Sequence, residues 1–544
     1  MNIKRSGLHP DGYFIWGIHR PSYKVLNIRR RDFILTLGHV CDGNSLTIPV
    51  TNEVNFPKND IIDVDHAQCV YEIPNVFPCW GASFILKDKA DQISKSLKIS
   101  LLPDNNSIFE TDNWVVIKDI IKLSKNKYNL KDLPRPILLT IAICCDDEEL
   151  LCEIAKLSCK LEFSSNSSLP TGISYQKKGS KILPIIYDKE LFEVVANNPS
   201  LPDAYKRVMV LNPGVQGNSP IVGDYFDDVR NIFEYLRTNS YIAWGHYASN
   251  MAHDSIRYSV RSLTLKDIEG LRHLYYQRTY IRLAQCVGID FKRKFLDEEE
   301  LEELRISLLK KVRNLSLKGE KVKFNGILWG WNYGFGFTPT GFRLHASHQQ
   351  IHQQFALIPN DIEMVGQNNM MDSYAVGDIV SECCDEYRKY YNTSFFKTLI
   401  RAIKTNKRTD SNTSNEHNSL IAYEDENVIV YVPKAQRFQS EVHIMVSNPV
   451  GNILEADLKT RKSLDKALFL TIRGLYEMGA RMVTCCEASK RIDKMSQDQH
   501  LFYYLLPKNP ISPGTFSEWQ LRWICGHYPE DFAYILSEKI KAIY

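Results

Sequence analysis

The residues most able to do chemistry stand in the stretch LHASHQQIHQQFALIP, residues 344–359, which holds three histidines and four glutamines at and before an apolar run. On a strand, alternate side chains share one face, and one such row is His348, Gln350, His352 and Gln354. On a helix, positions i, i+3 and i+7 share one side, and the histidines there are His345, His348 and His352. The strand would present imidazoles and amides along one surface, whereas the helix would present ligands to a metal ion.

The residues around this stretch favour the strand. Glycines and prolines crowd the segment between Gly330 and Gly341, which disfavours a helix that begins before His345. The apolar run then ends at Pro359, as a strand ends. The sequence therefore predicts a strand through His352, and the helical metal site stays as the alternative.

His352 is the candidate nucleophile of this strand. An imidazole with an ordinary pKa of ~6.5 is largely neutral near neutral pH and can attack phosphorus. The residues two positions away, Gln350 and Gln354, can orient the ring and contact phosphoryl oxygens as charge develops on them. The pattern therefore indicates covalent chemistry at phosphorus.

The segment ASHQQIHQQ, residues 346–354, resembles the active-site strand of the histidine-triad superfamily. Within the superfamily it is similar to the galactose-1-phosphate uridylyltransferase-like branch, whose signature is His-x-His-x-Gln after a small residue and a serine. The resemblance places His352 at the nucleophile, Gln354 at the glutamine and Ser347 at a serine that contacts phosphate. Gln350 stands where the family has its first histidine, whose backbone carbonyl holds the Nδ1 proton of the nucleophile. A glutamine can still supply that carbonyl.

The resemblance implies a two-step reaction. His352 attacks the α-phosphorus of a nucleoside polyphosphate or nucleotide sugar and forms a nucleotidyl-imidazole, and inorganic phosphate or a sugar phosphate then takes the nucleotidyl group. Gln354 would hydrogen-bond to the phosphoryl group with a neutral amide. Because the hydrolase branches carry a histidine at that position, the glutamine indicates transfer or phosphorolysis.

Several further residues are substrate-binding candidates: Asn332, His348, Arg437, Glu441 and His500. Asn332 lies in WNYGFG, which resembles the Asn-x-Gly strand of the family. Arg437, Glu441 and His443 occupy odd positions and so share one face of a predicted strand. There they form either a polar network between two halves of the fold or part of the substrate site. For His500 a structural role is the alternative.

A metal cofactor is left open by the sequence. Uridylyltransferases of the branch often carry a structural metal, so Mg²⁺ or Zn²⁺ is a candidate, but the sequence offers no convincing set of ligands.

Two polar stretches, 164–181 and 405–419, have the composition of linkers or long surface loops and divide the chain of 544 residues, which is long enough for several domains. The predicted parts are an N-terminal α/β domain of unknown role at 1–180, a first half at 181–404 with the histidine strand, a linker at 405–419 and a second half at 420–544. Both halves show strands, then a helix, then an aromatic strand. The predicted fold class is therefore α+β, with two fused histidine-triad-like half-domains after the N-terminal domain.

Local patterns predict individual elements. PILLTIAICCDDEELLCEIAKLSCKLEF at 136–163 predicts a buried strand, an amphipathic helix and another strand, and the run YKRVMVLNP from Tyr205 predicts a strand. Helices are predicted after a Thr264 cap, over the charged segment 296–315, and from Pro529 towards the end of the chain.

The composition is that of an ordinary globular protein. Lysine and arginine total 67 against 64 acidic residues, a net charge of +3, which gives no reason to expect nucleic acid or a membrane as partner. No apolar run approaches the ~18 residues of a membrane span, and the N-terminus lacks the apolar core of a signal peptide. The 13 cysteines include adjacent pairs and no matched CxxC spacing, which favours reduced thiols and a cytoplasmic location.

These features together predict a cytoplasmic nucleotidyltransferase or nucleotide phosphorylase, with a homodimer as a candidate assembly. Two alternatives remain open. One is a metal-dependent hydrolase that uses His345, His348 and His352, and the other is a non-catalytic nucleotide-binding sensor that kept the fold after losing the first motif histidine.

Overall fold

The fold is taken from a computed structural model, which describes only part of the chain. The described residues are 2–20, 26–28, 34–41, 47–55, 61–63, 68–101, 129–145, 147–165, 168–179, 181–196, 198, 201–209, 212–213, 215–216, 219–220, 239–241, 248–250, 260, 263–290, 296–334, 352–366, 369–412, 417–480, 482–494, 498–507 and 519–543.

Short strands dominate the described chain up to residue 101. They are β1 (Leu8–His9), β2 (Tyr13–Phe14), β3 (Gly17–His19), β4 (Leu26–Ile28), β5 (Thr36–Cys41), β6 (Thr47–Thr51), β7 (Ile61–Asp63), β8 (Val70–Pro74) and β9 (Ala82–Leu86), followed by the helix α1 (Lys87–Ser96).

Helices and hairpins follow between residues 129 and 250. The helices are α2 (Arg135–Cys144), α3 (Glu148–Ser158), α4 (Lys189–Ala196) and α5 (Asp203–Met209). The strands are β10 (Leu161–Phe163), β11 (Pro170–Ile173), β12 (Tyr175–Lys178), β13 (Lys181–Pro184), β14 (Asn212–Pro213), β15 (Val215–Gln216), β16 (Ser219–Pro220), β17 (Asn239–Tyr241) and β18 (Ala248–Asn250).

The longest elements lie after residue 260. The helices are α6 (Leu265–Cys286), α7 (Glu298–Leu317), α8 (Val376–Tyr391), α9 (Phe395–Lys404), α10 (Leu458–Glu477) and α11 (Pro529–Ile543). The strands are β19 (Phe324–Gly334), β20 (His352–Pro359), β21 (Asp361–Glu363), β22 (Met370–Asp372), β23 (Ile421–Glu424), β24 (Val428–Tyr431), β25 (Val442–Val446), β26 (Met482–Ala488), β27 (Phe502–Pro507) and β28 (Arg522–Cys525).

A seven-stranded antiparallel sheet, in the order β20-β19-β26-β27-β25-β24-β23, forms the centre of the described structure. One face packs against α6, α7, α10 and α11 through a core that includes Trp329, Leu468 and Tyr503. The opposite face packs against α8, α9 and N-terminal residues through a second core that includes Phe77 and Phe502. Segments from both predicted halves therefore contribute strands to one sheet, and the mixed content confirms the α+β class.

Parts of the N-terminal region, including Phe14 and Phe77, pack on this sheet. Strand β9 pairs in parallel with β28 from the far end of the chain. The ring of Phe77 lies 5.9 Å from Phe502 and 5.2 Å from Phe395, centroid to centroid. Large aromatic side chains such as Phe77 bury their apolar area here against distant segments, so parts of the N-terminal region, such as Leu8, Phe14 and Phe77, belong to the second core.

A third core spans the boundary predicted at residue 180. It joins α2, α3, α4 and α5 through buried side chains that run from Leu139 to Met209. The polar stretch 164–181, predicted to be a linker or surface loop, instead lies largely in two hairpins, β10 with β11 and β12 with β13.

Two segments predicted to be strands are helices. The run 136–144 belongs to α2, whose first turn contains a proline, and residues 205–209 belong to α5. A helix buried on most of its surface shows a continuous apolar run, which a short buried strand shows as well, so periodicity does not separate the two. The helices predicted after Thr264, over 296–315 and from Pro529 are confirmed as α6, α7 and α11.

The predicted linker 405–419 is partly buried in the structure. Arg408 and Thr409 are 3% and 0% exposed. The guanidinium of Arg408 donates to both carboxylate oxygens of Asp531 at 2.6 and 3.0 Å, and Thr409 donates to Glu530 at 3.2 Å. The polar composition predicted that this segment is exposed to solvent. The sequence alone does not show that its side chains find acidic partners at the start of α11. No described helix has the length and apolar character needed to cross a bilayer.

His527, directly before α11, should make stability pH-dependent. Its ring is fully buried and tilted against Phe532 at 5.2 Å, and neither ring nitrogen has a hydrogen-bond partner among the described residues. Burial, with a smaller effect of Lys89, lowers the pKa of His527 to about 3. The unfolded chain, with an ordinary histidine pKa, therefore binds the proton more readily, and stability contributed by neutral His527 is lost as the pH falls below that ordinary value towards 3.

We expect His527→Leu to flatten this dependence. Between pH 7 and 5 the free energy of unfolding of the wild type should fall by about 2 kcal/mol more than that of the variant. Urea unfolding of both proteins at the two pH values measures the difference. Equal losses in both proteins would show that His527 is protonated without penalty in the folded state.

Candidate active site

The backbone of His352 begins β20, an edge strand of the central sheet. Antiparallel pairing with β19 places His352 at the register position opposite Asn332 and Gln354 opposite Gly330. The strand predicted from the histidine and glutamine pattern is thus present from His352 onwards. An i, i+3, i+7 helical arrangement cannot include His352, because its backbone is extended.

Asn332 is the register partner of His352 and carries a polar side-chain amide. Its side chain is largely buried, and its amide oxygen accepts a hydrogen bond of 2.8 Å from Thr484, the register partner on β26. The amide nitrogen has no partner among the described residues. Asn332 is therefore held on one side by Thr484 and keeps two N–H donors available beside the start of β20.

A line of register partners crosses the same sheet one step further along: Tyr431, His443, Tyr504, Cys486, Gly330 and Gln354. Gly330 leaves bare backbone in this line, and a Cβ placed there would meet the backbone oxygen of Cys485 at 3.4 Å. A glycine inside a strand often marks a place where another group approaches the backbone closely. Because Gly330 has no side chain, the sheet surface is depressed at this point between Tyr504 and Gln354.

Arg437, Glu441 and His443 form one hydrogen-bonded network. Glu441 Oε1 accepts from Arg437 Nη2 at 2.5 Å and Nε at 3.1 Å, and Oε2 accepts from the Arg437 backbone N–H at 2.7 Å. His443 Nε2 lies 2.9 Å from Glu441 Oε1, and His443 Nδ1 lies 3.0 Å from the hydroxyl of Tyr431. The alternation predicted for these residues was wrong in detail, because β25 begins at Val442 and a loop carries Arg437 to Glu441.

The electrostatics of the network keep Glu441 charged. Burial by itself would raise the pKa of this fully buried carboxyl, but the Arg437 guanidinium and His443 outweigh it and hold the pKa at about 2. Burial lowers the pKa of His443, although Glu441 opposes that shift. Near neutral pH the network thus contains an ionised Arg437–Glu441 pair beside a neutral imidazole.

Two aromatic rings, arranged edge to face with each other, contact the Arg437 guanidinium. Its Cζ lies 3.8 Å from the ring centroid of Trp80 and 4.5 Å from that of Tyr504. Trp80 is a site residue that sequence reasoning missed, because it comes from the N-terminal region and no local pattern links it to Arg437. The structure therefore assembles this part of the surface from three distant segments.

His500 lies away from the Arg437 network and from Asn332. Its Nδ1 is 2.7 Å from the carbonyl oxygen of Val446, and its ring stacks on Phe396 at 4.7 Å. Burial lowers its pKa. These contacts fit the structural alternative that the sequence left open.

Four of the predicted residues, His345, Ser347, His348 and Gln350, lie outside the described residues. For His352 and Gln354 the structure describes the backbone position and not the side chain. Within the described part of the chain, no group of three or more histidine, cysteine, aspartate or glutamate side chains is arranged to hold a metal ion.

No protein-family model and no curated protein sequence matches the chain. Among solved structures it is similar to a uridylyltransferase mutant, with TM-score 0.34 and 13% identity over 54% of this chain and 77% of that one. A second uridylyltransferase structure gives TM-score 0.34 and 12% identity over 54% and 74%. An ADP-glucose phosphorylase from Arabidopsis thaliana with bound ADP-glucose gives TM-score 0.30 and 16% identity over 45% and 66%. The chain resembles this group of structures.

The described side chains near the start of β20 can bind and polarise an anion, but none of them is a reactive nucleophile. Asn332 offers neutral donors, and Arg437 offers a cation whose orientation is fixed by its neighbours. Burial raises the pKa of Cys486, the thiol on the same register line, so it stays protonated near neutral pH.

Proposed function

We propose that the chain is a nucleotidyltransferase or nucleotide phosphorylase that works through a covalent nucleotidyl-histidine intermediate at His352. The observation that carries the proposal is the register of β20 on β19, which pairs His352 with Asn332 and Gln354 with the bare backbone of Gly330. The motif resemblance had named His352, Gln354 and Asn332 separately. Their adjacency supports one site.

The proposed reaction has two steps of the same kind. The neutral imidazole of His352 attacks the α-phosphorus of the donor, an N–P bond forms, and the P–O bond to the leaving group breaks so that the leaving oxygen takes the electron pair. A phosphate oxygen of the acceptor then attacks the same phosphorus and the N–P bond breaks. Asn332 and Gln354 donate to the non-bridging oxygens in both steps, where negative charge is concentrated.

The two predicted half-domains fit this proposal as contributors to one sheet. The segment 324–359 contributes β19 and β20 to the seven-stranded sheet, and β20 carries the proposed nucleophile. The segment 421–507 contributes the remaining five strands. We propose that each contribution is a histidine-triad-like half and that only the first keeps the nucleophile. The acceptor is either inorganic phosphate or a sugar phosphate.

The direct test is transfer of label to the protein. Purified protein is incubated with each of the four α-³²P nucleoside triphosphates and with UDP-glucose and GDP-glucose labelled at the nucleotide phosphate, then denatured and exposed to alkali or acid. We expect label that survives alkali and is lost in acid, as for a phosphoramidate. No label from any donor, with folded protein, would contradict the proposal for those donors.

A further inference from the structure

The guanidinium of Arg437 is only partly used by its neighbours. Glu441 occupies Nε and Nη2, while Nη1 has no hydrogen-bond partner among the described residues. The Arg437 side chain is 17% exposed, whereas that of Glu441 is 1% exposed. One edge of the guanidinium is therefore held by the buried carboxylate, and the other edge reaches solvent.

The free edge has a fixed direction. Trp80 and Tyr504, whose rings lie 5.3 Å apart and nearly perpendicular to each other, both contact the guanidinium, at 3.8 and 4.5 Å from its Cζ. A planar cation held by a carboxylate and two rings loses little conformational entropy when it binds a ligand. Charge-assisted hydrogen bonds from arginine to oxyanions are among the stronger hydrogen bonds in proteins. These conditions suit a phosphate oxygen better than a neutral acceptor.

The position of Arg437 on the sheet decides which phosphate it can reach. It stacks on Tyr504 in β27, and Gly330 in β19 lies two strands away, at about 10 Å for ordinary strand spacing. Strand β20 is one strand further on. By strand order, Gly330 lies between Arg437 and His352, so the position of Arg437 favours a phosphate group other than the one attacked by His352.

We propose that Arg437 binds a second phosphate group of the substrate, one that His352 does not attack. The inference rests on the proposed function, because His352 defines the first phosphate. The second phosphate comes either from the terminal position of a nucleoside polyphosphate donor or from the phosphate acceptor. Glu441 acts as a positioning residue that holds Nε and Nη2 of Arg437.

Binding measurements separate the two sources without requiring turnover. Calorimetric titrations use the four nucleoside triphosphates, the four monophosphates and inorganic phosphate, on wild type, Arg437→Lys and the double variant Arg437→Met/Glu441→Gln. The double variant removes both charges, so it leaves no unpaired buried carboxylate. Arg135→Met is the matched control, because Arg135 also pairs with a carboxylate, Asp188 at 2.6 Å, but lies in the third core region.

If the terminal donor phosphate is the ligand, triphosphate affinity falls ~10- to 100-fold in the double variant while monophosphate affinity is unchanged. If the acceptor is the ligand, inorganic phosphate affinity falls by a similar factor. In either case Arg437→Lys gives an intermediate loss and Arg135→Met none. Wild-type affinity for every probe in the folded double variant would overturn the inference, as would an equal loss in Arg135→Met.

The outcome stays separable from that of the proposed function. Loss of triphosphate or phosphate binding in the double variant, without any label on His352 in the wild type, would support the phosphate site and contradict the covalent route. Label on His352 together with unchanged binding in the double variant would support the covalent route and overturn the role of Arg437.

Discussion

Replacing His352 by alanine is expected to abolish the covalent label and to slow nucleotidyl transfer by on the order of 10⁴-fold or more, because no other described group beside β20 can replace the nucleophile. The loss should appear in the first step, so that donor still binds but no leaving group is released. Rapid-quench measurement of one turnover with the donor identified by labelling gives this step separately from binding. Circular dichroism and thermal unfolding establish that the variant is folded.

His345→Ala is the matched control for this experiment. His345 lies in the same histidine-rich segment and belongs to the alternative metal-binding set, but it has no role in the proposed nucleotidyl transfer. We expect it to retain the label. If both variants lose activity together with stoichiometric zinc, the metal-dependent hydrolase becomes the better explanation. If neither variant changes a measurable transfer rate, His352 is not the nucleophile.

The structural elements that the sequence predicted well are those whose own residues decide their conformation. Strand β20 is bounded by a proline and preceded by glycine-rich chain, and α7 begins with a capping box between Asp297 and Glu300. Helix α2 was mistaken for a strand because its almost uniformly apolar sequence shows neither period. Only packing within the third core decides between the two conformations there, and packing is a property of distant residues.

The same distinction applies to the candidate site. The pairing of His352 with Asn332 joins two adjacent strands of a hairpin-like pair, so a local motif could name both residues. The aromatic contacts of Arg437 come from Trp80 in the N-terminal region and from Tyr504 in β27, and neither residue carries a recognisable pattern. Glu441 was named from sequence as one of an alternating set, although the loop before β25, and not strand alternation, brings it to Arg437.

Lys434→Met is expected to produce the largest loss of stability among single substitutions considered, about 3–5 kcal/mol of the free energy of unfolding. Lys434 and Glu530 are 2% and 0% exposed, and their side chains form a direct ion pair. The ammonium also donates to the backbone oxygen of Lys407 at 2.7 Å and lies 4.4 Å from the ring centroid of Trp16. Without the cation, the described side chains that donate to this buried carboxylate are Asn406 and Thr409, and both are neutral.

The control for burial is Lys541→Met in α11, the helix that carries Glu530. Lys541 forms an ion pair with Glu538 at 2.7 Å, but both side chains are at least half exposed, at 69% and 50%. Solvent screens such a pair, so its removal should leave the unfolding curve almost unchanged. Urea unfolding of both variants compares one chemical change at a buried and an exposed position. Similar midpoints for the two variants would contradict the assigned role of Lys434.

The double variant Lys434→Met/Glu530→Gln tests the cause of the loss. If the destabilisation of Lys434→Met comes mainly from the unpaired Glu530 carboxylate, neutralising that carboxylate should restore much of the stability. Glu530 lies in the first turn of α11, beside Asp531 with its partner Arg408, so this charge cluster joins the last helix to the segment 406–410. If the double variant is no more stable than Lys434→Met, the loss comes from contacts of the lysine stem and ammonium with Trp16 and Lys407. Lys434 would then stabilise the protein by holding the N-terminal region, through Trp16, against the sheet. The same region carries Trp80, which contacts Arg437.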